Sequence, residues 1–424
     1  MYFLIALIFI SKISFAFIPG VPYEIFPVVY QYGLHPYINI LLCSIVGGLF
    51  TVKKLLNPEA FVTQSRLFRA YIVLGSLFLL FITFMQIIFQ IGEESILMQM
   101  VACLMAIFTM QLFGRVIPTK LDAKKFVEIV KAWSVVLCWI SLLALFISPA
   151  TSFKGGRFIG VFKHIPHMVS VATFACCFLL YDFFSKDLSR RQKFLKSLSF
   201  LGAFFVLILT GTRSALAAVM LSVILSLLLF PSKNAATKFL KTSMAVTGLL
   251  VGLFFGERII DYAIEVVRGQ ETIGLRAAQD GIAARADEIE RGYKMFQEHQ
   301  WVGLGLLSKF GSTDEKQLGN YNANKDPHNL FISAGVVGGW GLIAITAFGF
   351  FALIAAGVKN LFSRNNAIKI LAIYILTQVP IIFIYHIHLS MGGIADRIYW
   401  IIFGYMALTS YHEDLEKNEN RSKL

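Results

Sequence analysis

The side chains best suited to chemistry in this chain are arginines and a histidine at the edges of long apolar segments. Arg213 follows Thr210-Gly211-Thr212, with almost no loop between two apolar runs. An ionisable residue at the edge of a membrane-length segment is costly, so it predicts a functional role. Gly211 permits a tight turn, and the start of the next helix adds partial positive charge suited to phosphate oxygens. We predict Arg213 to be catalytic, with contact to lipid headgroup phosphates as the alternative.

Arg157 is a second candidate for binding an anion. It follows a glycine pair in a loop that also carries Lys154, Lys163, His164 and His167. The planar guanidinium presents a fork of donors that matches phosphate oxygens in pairs. Arg157 is therefore a predicted substrate-binding residue, and a solvated loop that binds lipid headgroups is the alternative.

His328 and Asn329 open a further apolar run, directly after Asp326-Pro327. The positive end of a helix dipole disfavours the imidazolium, and a neutral imidazole can act as a base at physiological pH. We predict His328 to be a catalytic base and Asn329 to bind substrate; a histidine packed at an interface is the alternative. The glycines that follow predict a small-residue face for close helix packing: Gly335, Gly338, Gly339 and Gly341.

A long polar segment, residues 257–327, precedes this histidine. Ile282, Ile289, Tyr293 and Phe296 recur near helical spacing and predict an amphipathic helix over Asp280–Glu298. The segment holds nine Lys or Arg against twelve Asp or Glu, so it is not a simple basic patch. An anion site in it requires particular arginines, and the candidates are Arg276, Arg285 and Arg291. Surface ion pairs are the alternative for each of them.

The elements that position these residues are membrane helices. The chain has 424 residues, of which 57% are hydrophobic and 15% charged, with a mean hydropathy of +0.70. A soluble domain is about a quarter charged. Apolar runs of membrane-spanning length recur throughout, which predicts an all-α polytopic membrane protein with about 12 transmembrane helices. The predicted spans are 1–18, 36–52, 68–90, 95–117, 131–148, 165–182, 197–212, 213–230, 241–256, 328–357, 370–389 and 395–410.

The charges of the connecting loops predict the orientation. Lys and Arg concentrate in alternate loops, and the loops between them, such as 19–35 and 91–94, are poor in both. The positive-inside rule then places both termini in the cytoplasm and the polar segment outside it. The net charge of +13 has the same origin and does not indicate nucleic-acid binding. Lys12, inside the first predicted span, is expected to snorkel or to face the bundle interior.

The predicted organisation has four parts. Residues 1–256 form transmembrane helices one to nine, and residues 257–327 form the large external loop. Residues 328–410 form helices ten to twelve, and residues 411–424 form a cytoplasmic tail. The five cysteines all fall in apolar runs without metal-ligand spacing, so we expect neither a disulfide nor a metal site.

Taken in order, these motifs resemble the bacterial O-antigen ligase and polymerase superfamily. The matches are Arg157 to Gly160 with Pro166, the turn Thr210 to Ser214, Arg285 through Phe296, Gly303-Leu304-Gly305, and His328-Asn329 with Gly335 and Gly338. The turn reads TGTRS where the family has TGSRG, and His167 stands where the family usually has asparagine.

This resemblance implies a GT-C-like glycosyltransferase architecture at the periplasmic face of the bacterial inner membrane. The donor would be a glycan on undecaprenyl diphosphate, and the acceptor hydroxyl would attack its anomeric carbon while the lipid diphosphate leaves. The arginines would stabilise the leaving diphosphate and His328 would be the base, without a metal or cofactor. Implied partners are the lipid-linked donor and acceptor, the bilayer and a chain-length regulator protein.

Three functions are compatible with this pattern. A polymerase joins lipid-linked repeat units into O-antigen or capsular polysaccharide, and a ligase transfers the finished glycan to lipid A-core. Because the family's polymerases are more numerous and diverse than its ligases, we favour the polymerase. A flippase or transporter would show related halves and broken helices near the midplane, and the sequence has no convincing internal repeat.

Overall fold

The computed structural model describes the chain in ranges rather than throughout. These ranges are residues 1–10, 12–13, 45–50, 52–53, 66–89, 96–154, 156–162, 164–232, 234–268, 282–305, 329–385 and 394–422. The helices are α1 Tyr2–Ile10, α2 Arg66–Ile88, α3 Ile96–Gln111, α4 Ile117–Lys120, α5 Ala123–Ile147, α6 Pro149–Ser152, α7 Ile165–Ser185, α8 Arg190–Thr210, α9 Arg213–Leu229, α10 Ala235–Arg268, α11 Ile282–Glu298, α12 Leu330–Asn360, α13 Asn366–Tyr385 and α14 Ile394–Ser422. A π-helical turn, Leu112–Val116, joins α3 to α4, and a short hairpin pairs β1 Phe153–Lys154 with β2 Arg157–Phe158.

Several helices are long and apolar enough to cross a membrane, which confirms the predicted all-α membrane class. Within the described ranges they are Phe68–Ile88, Ala123–Ile147, Ile165–Ser185, Arg190–Thr210 and Leu330–Asn360, with shorter apolar helices at Arg213–Leu229 and Asn366–Val379. The count of about 12 crossings, the domain boundaries and the GT-C-like architecture stay predictions. Helix α10 continues to Arg268, so the first residues of the predicted loop, from Glu257, are helical.

Polar contacts at mid-height join the core helices. The Cys177 thiol of α7 lies 3.3 Å from the Ser222 hydroxyl of α9, which is 2.8 Å from the Thr377 hydroxyl of α13. The rings of Tyr374 in α13 and Tyr399 in α14 stack with centroids 5.7 Å apart.

The Lys369 amino group, near the start of α13, donates to the Leu229 carbonyl at the end of α9 at 3.2 Å, and Arg157, shortly before α7, donates to the turn at the start of α9. The starts of α7 and α9 and the end of α13 therefore lie together. We call this the upper end of the bundle, and the predicted orientation makes it periplasmic.

An ion-pair network joins α5, α7 and α8 at the opposite, lower end. The buried Asp182 carboxylate lies 2.7 Å from the Lys131 amino group and 2.8 Å from that of Lys186, and it also pairs with Lys196. Glu128 pairs with Lys131 at 2.5 Å and with Lys186. Burial lowers the pKa of Lys186, but its hydrogen bonds to Asp182 and Glu128 outweigh burial and raise that pKa.

Helix α12 is sharply bent rather than a single straight span, which corrects the predicted span 328–357. Gly338 and Gly339 have non-helical backbone angles, and Gly339 has a φ of +65°. In a straight helix the 19 steps from Phe331 to Phe350 would cover about 28 Å. Their ring centroids are 6.0 Å apart, so the arm 330–337 folds back along the longer arm 340–360.

The four glycines singled out by the sequence, Gly335, Gly338, Gly339 and Gly341, therefore serve two purposes. A Cβ atom on Gly335 would lie 2.7 Å from the Phe296 ring, and one on Gly341 would lie 2.1 Å from the Phe78 ring. These two positions confirm the predicted small-residue packing. Gly338 and Gly339 instead form the bend, which sequence analysis did not predict.

The network at the lower end generates a stability prediction. Asp182→Asn leaves three lysines near a neutral amide, and breaking a buried pair in this way costs about 3 to 5 kcal/mol. We expect a clear fall in the Tm of the purified protein in detergent. Glu290→Gln, which removes an exposed ion pair with Lys294 on α11, is the control and should leave Tm unchanged. An Asp182→Asn protein as stable as the wild type would contradict a stabilising role for the network.

Candidate active site

The hairpin β1–β2 presents Arg157 to the turn between α8 and α9. Gly156 has a φ of +67°, which allows the two-residue strands to reverse, and Lys154 is the register partner of Arg157. The Arg157 Nε atom donates to the Thr210 carbonyl at 3.1 Å, and Nη2 donates to the Thr212 hydroxyl at 2.9 Å. The two motifs predicted to share an anion site are thus joined directly.

The loop after the hairpin is fixed against α5. A Cβ atom on Gly160, whose φ is +55°, would lie 2.4 Å from the Ser141 hydroxyl. The backbone amide of Val161 donates to the same hydroxyl at 3.3 Å. This close approach requires glycine at position 160 and holds the hairpin at a fixed height beside α7.

The turn itself exposes Arg213 at the upper end. Gly211 ends α8 in the left-handed conformation, with φ of +61°, and its amide donates to the Ile208 carbonyl at 2.9 Å. Arg213 is the first residue of α9 and its side chain is exposed. The Thr212 hydroxyl accepts from Arg157 and does not cap α9. Arg213 is thus an exposed cation at a helix start, and both a cation and a helix start are features that suit an anion site.

Helix α11 packs against the bend of α12, which confirms the amphipathic helix predicted over Asp280–Glu298. The ring of Phe296 meets that of Trp340 edge to face, with centroids 4.9 Å apart. After α11, the Trp340 amide donates to the Gln300 carbonyl at 2.8 Å. A Cβ atom on Gly339 would lie 2.5 Å from that same carbonyl oxygen, so the docked segment requires glycine there.

The predicted Gly303-Leu304-Gly305 motif supplies the hydrogen bonds that α12 loses at its bend. The Leu304 amide donates to the Val336 carbonyl at 2.7 Å, and the Gly305 amide donates to the Val337 carbonyl at 3.0 Å. Backbone groups at membrane depth must find partners inside the protein. The motif is thus a backbone clamp on α12, and its glycines adopt positive φ angles of +70° and +100°.

Gln86 completes the clamp and was missed by sequence analysis. This buried side chain of α2 donates from Nε2 to the Val302 carbonyl at 2.8 Å and to the Val337 carbonyl at 3.1 Å. The available signal was a single amide in the apolar run Phe84-Met85-Gln86-Ile87-Ile88. An uncharged polar side chain in such a run indicates a hydrogen-bonded contact.

The remaining predicted site residues fall into two groups. Asn329 caps α12, and its Oδ1 accepts from the amides of Phe331 at 3.0 Å and Ile332 at 3.2 Å. Arg291 is half-buried on α11, where a hydrogen bond from Lys294 lowers the pKa of its neighbour Glu290. His328, Arg276 and the side chain of Arg285 lie outside the described residues.

Part of the chain that holds this arrangement is similar to a known protein family. Residues 198–348 match the family model described as O-Antigen ligase. This segment of the chain is thus similar to the O-antigen ligase family. No curated protein matches the chain. The O-antigen ligase segment contains the turn with Arg213, the helix with Arg291, the Gly303-Leu304-Gly305 clamp and Asn329. The predicted superfamily is thereby confirmed, and the choice between ligase and polymerase stays open.

The clamp generates a prediction for Gln86→Met, a change that keeps the volume but removes the amide donor. Losing a buried donor costs about 1 to 3 kcal/mol. We expect faster amide hydrogen exchange at 300–305 and 336–340, measured by mass spectrometry on the protein in detergent. Gln297→Met, on an exposed position of α11, is the matched control. Unchanged exchange at both stretches in Gln86→Met would rule out a clamping role for Gln86.

Proposed function

We propose that this protein is a polymerase that joins undecaprenyl-diphosphate-linked oligosaccharide repeat units into O-antigen or capsular polysaccharide. The reaction takes place at the periplasmic face of the bacterial inner membrane. The hydrogen bonds from Arg157 to the turn before Arg213 carry this proposal, because they unite two separate motifs at one end of the bundle. The O-antigen ligase match supports the reaction class.

The reaction exchanges one bond at the anomeric carbon. The acceptor hydroxyl oxygen forms a bond to this carbon, and the bond to the diphosphate oxygen breaks with its electron pair. The hydroxyl proton passes to a base. Negative charge grows on the leaving diphosphate, and preorganised cationic donors aimed at that charge lower the barrier.

Arg213 and Arg157 have different parts in this proposal. Arg213 is exposed at the start of α9 and stabilises the leaving diphosphate together with the first amides of that helix. Arg157 donates to Thr210 and Thr212 and so fixes the turn that presents Arg213. Arg157 is also proposed to contact substrate, as are Arg276, Arg285 and Arg291.

His328 is proposed to be the base that takes the acceptor proton. It immediately precedes Asn329, and consecutive Cα atoms lie about 3.8 Å apart. The Asn329 cap fixes the start of the folded-back arm of α12, and Phe331 in that arm contacts Phe350 beside it. Asn329, the residue next to the proposed base, thus belongs to a capped helix start, and precise proton transfer favours a base carried by an ordered element.

A ligase that transfers the finished glycan to lipid A-core is the second candidate, because the similarity to the O-antigen ligase family is compatible with it as well. The glycan profile of a bacterial strain without the gene separates the two. Core carrying one repeat unit indicates a polymerase, and core without any repeat indicates a ligase. Repeat units trapped on the cytoplasmic side would contradict both and indicate a flippase.

Arg213→Lys is expected to lose most transfer activity, about 10-fold to 100-fold in kcat. Lysine keeps the charge but cannot offer paired donors to a diphosphate. The measurement is transfer between purified lipid-linked repeat units in detergent. Arg190→Lys is the matched control, because Arg190 is also exposed at the first position of a helix, at the lower end. Full activity in Arg213→Lys would leave lipid anchoring as its role.

His328→Ala should give a membrane-inserted, folded protein that makes no long chains. Removing a general base typically costs about 10²-fold to 10⁴-fold in rate. Chain length is read from the polysaccharide ladder of a complemented deletion strain, and folding from the Tm of the purified variant. A normal ladder from His328→Ala would remove this histidine from the mechanism.

A further inference from the structure

Exposed aromatic side chains gather where α11 meets the bend of α12. Trp301 is 77% exposed, Trp340 50% and Tyr293 48%. The ring of Phe296 links two of them, since its centroid lies 4.9 Å from that of Trp340 and 6.3 Å from that of Tyr293. A Cβ atom on Gly339, the residue before Trp340, would lie 2.6 Å from the Trp301 carbonyl. We call Tyr293, Trp301 and Trp340 the aromatic platform.

Hydrogen bonds hold the backbone of the platform in place. The indole Nε1 of Trp340 donates to the Gln300 side-chain oxygen at 3.4 Å, and the Trp340 amide donates to the Gln300 carbonyl at 2.8 Å. Gln86 fixes the residue after Trp301, because it donates to the Val302 carbonyl at 2.8 Å. Rigid aromatic rings on a fixed backbone provide binding surface at a low cost in conformational entropy.

Helix α14 shows which end of the bundle the platform occupies. The ring of Tyr399 stacks on that of Tyr374 at mid-height. The Tyr405 hydroxyl donates to the Leu121 carbonyl at 2.8 Å, just before α5, whose Lys131 belongs to the network at the lower end. Helix α14 therefore descends toward the lower end between these two tyrosines.

Helix α2 runs antiparallel to α14 and rises to the platform. The Phe68 ring lies 4.8 Å from that of Phe403, and the Tyr71 ring lies 5.9 Å from that of Trp400, which comes earlier in α14. Gln86 follows 15 residues after Tyr71, about 22 Å further along the helix axis. The platform that Gln86 supports thus lies at the upper end, which the predicted orientation makes periplasmic.

The platform combines apolar ring faces with hydrogen-bonding groups. Trp and Tyr side chains each have an apolar body and a polar tip. The neighbouring residues Gln297, Glu298 and Gln300 also have exposed side chains. A pyranose ring has the matching surface, because C–H groups cover one of its faces and hydroxyls surround its edge. This combination suits a glycan.

A membrane surface suits the platform less well, although exposed Trp and Tyr also occur at the level of lipid headgroups. Helices that lie on an anionic membrane carry an excess of Lys and Arg on their polar face. The sequence of α11 has four acidic residues against three basic ones. Its buried ring, Phe296, is already covered by Trp340 of α12. The charge of α11 therefore favours an uncharged, hydroxyl-rich partner over anionic headgroups.

We propose that the aromatic platform binds sugar rings of the growing glycan chain. The sugar rings stack on Trp301 and Trp340, and their hydroxyls bond to the side chains of Gln297 and Gln300. A chain held in this way stays at a high effective concentration near the site between successive transfers. The inference rests on the proposed function for the identity of the glycan, whereas its test requires no transfer.

The test measures binding of a lipid-free glycan, which has no diphosphate for the arginines to bind. The probe is an oligosaccharide of a few repeat units cut from the polysaccharide of the same bacterium. It is titrated into the full-length protein in detergent and followed by calorimetry. Trp301→Ala should raise the Kd about 3-fold to 10-fold, the worth of one stacked aromatic contact. Phe362→Ala is the matched control, because Phe362 is 76% exposed between α12 and α13 at the lower end, and its Kd should not change.

Trp301→Phe is the second variant, since it keeps an aromatic ring of smaller area and should have an intermediate Kd. No binding by the wild type, or an equal Kd in Trp301→Ala, would overturn the inference. Brominated phospholipids in nanodiscs report on contact with lipid. If they quench the wild type more than Trp301→Phe while the Kd is equal in both, the ring belongs to the membrane surface and the inference fails.

Chain length gives an independent readout. A deletion strain complemented with Trp301→Ala should make a polysaccharide ladder of shorter chains, and an unchanged ladder would contradict a role in retaining the chain. Weakened glycan binding in Trp301→Ala, with a wild type that has no transfer activity, would uphold the platform and reject the proposed function. Transfer by a wild type that does not bind the lipid-free glycan would reject the platform and leave the proposed function intact.

Discussion

The backbone hydrogen bonds across the bend of α12 are the constraint on which the upper end of the bundle depends. Breaking a membrane helix exposes carbonyls that water cannot reach, at a cost of several kcal/mol for each. Here the carbonyls of Val336 and Val337 receive amides from Leu304 and Gly305. The segment after α11 is therefore an integral part of the bundle. It cannot leave without uncovering these carbonyls, and α12 cannot keep its bend without it.

Further polar contacts hold the bundle together at this bend and at the lower end. Gln86 ties α2 to the same carbonyl as Gly305, so three elements meet at one backbone position. At the opposite end, the network around Asp182 holds α5, α7 and α8 together. The helices that carry the hairpin and the turn before Arg213 are thus fixed at their far ends. A site with this support can hold its donors in place before charge develops, which is what electrostatic catalysis requires.

The features that depend on neighbouring residues in the chain could be predicted from the sequence. Apolar runs gave the helices, and the turn before Arg213 followed from Gly211 between two such runs. The bend in α12 could not be predicted, because four glycines at similar spacing fit close packing as well as a break. Only the approach of the Gln300 carbonyl to Gly339 decides which one adopts a positive φ. The bracing role of Arg157 escaped prediction for a related reason, since its partners are a carbonyl and a hydroxyl more than fifty positions away.

The family model matches only part of the chain, and this bears on how specificity for the acceptor arises. The O-antigen ligase segment, 198–348, holds Arg213, Arg291 and Asn329, which are the parts proposed to act on the donor. In the proposed reaction these residues act on the donor whatever the acceptor is. Acceptors differ in the group next to the attacking hydroxyl, so selection among them requires contacts elsewhere.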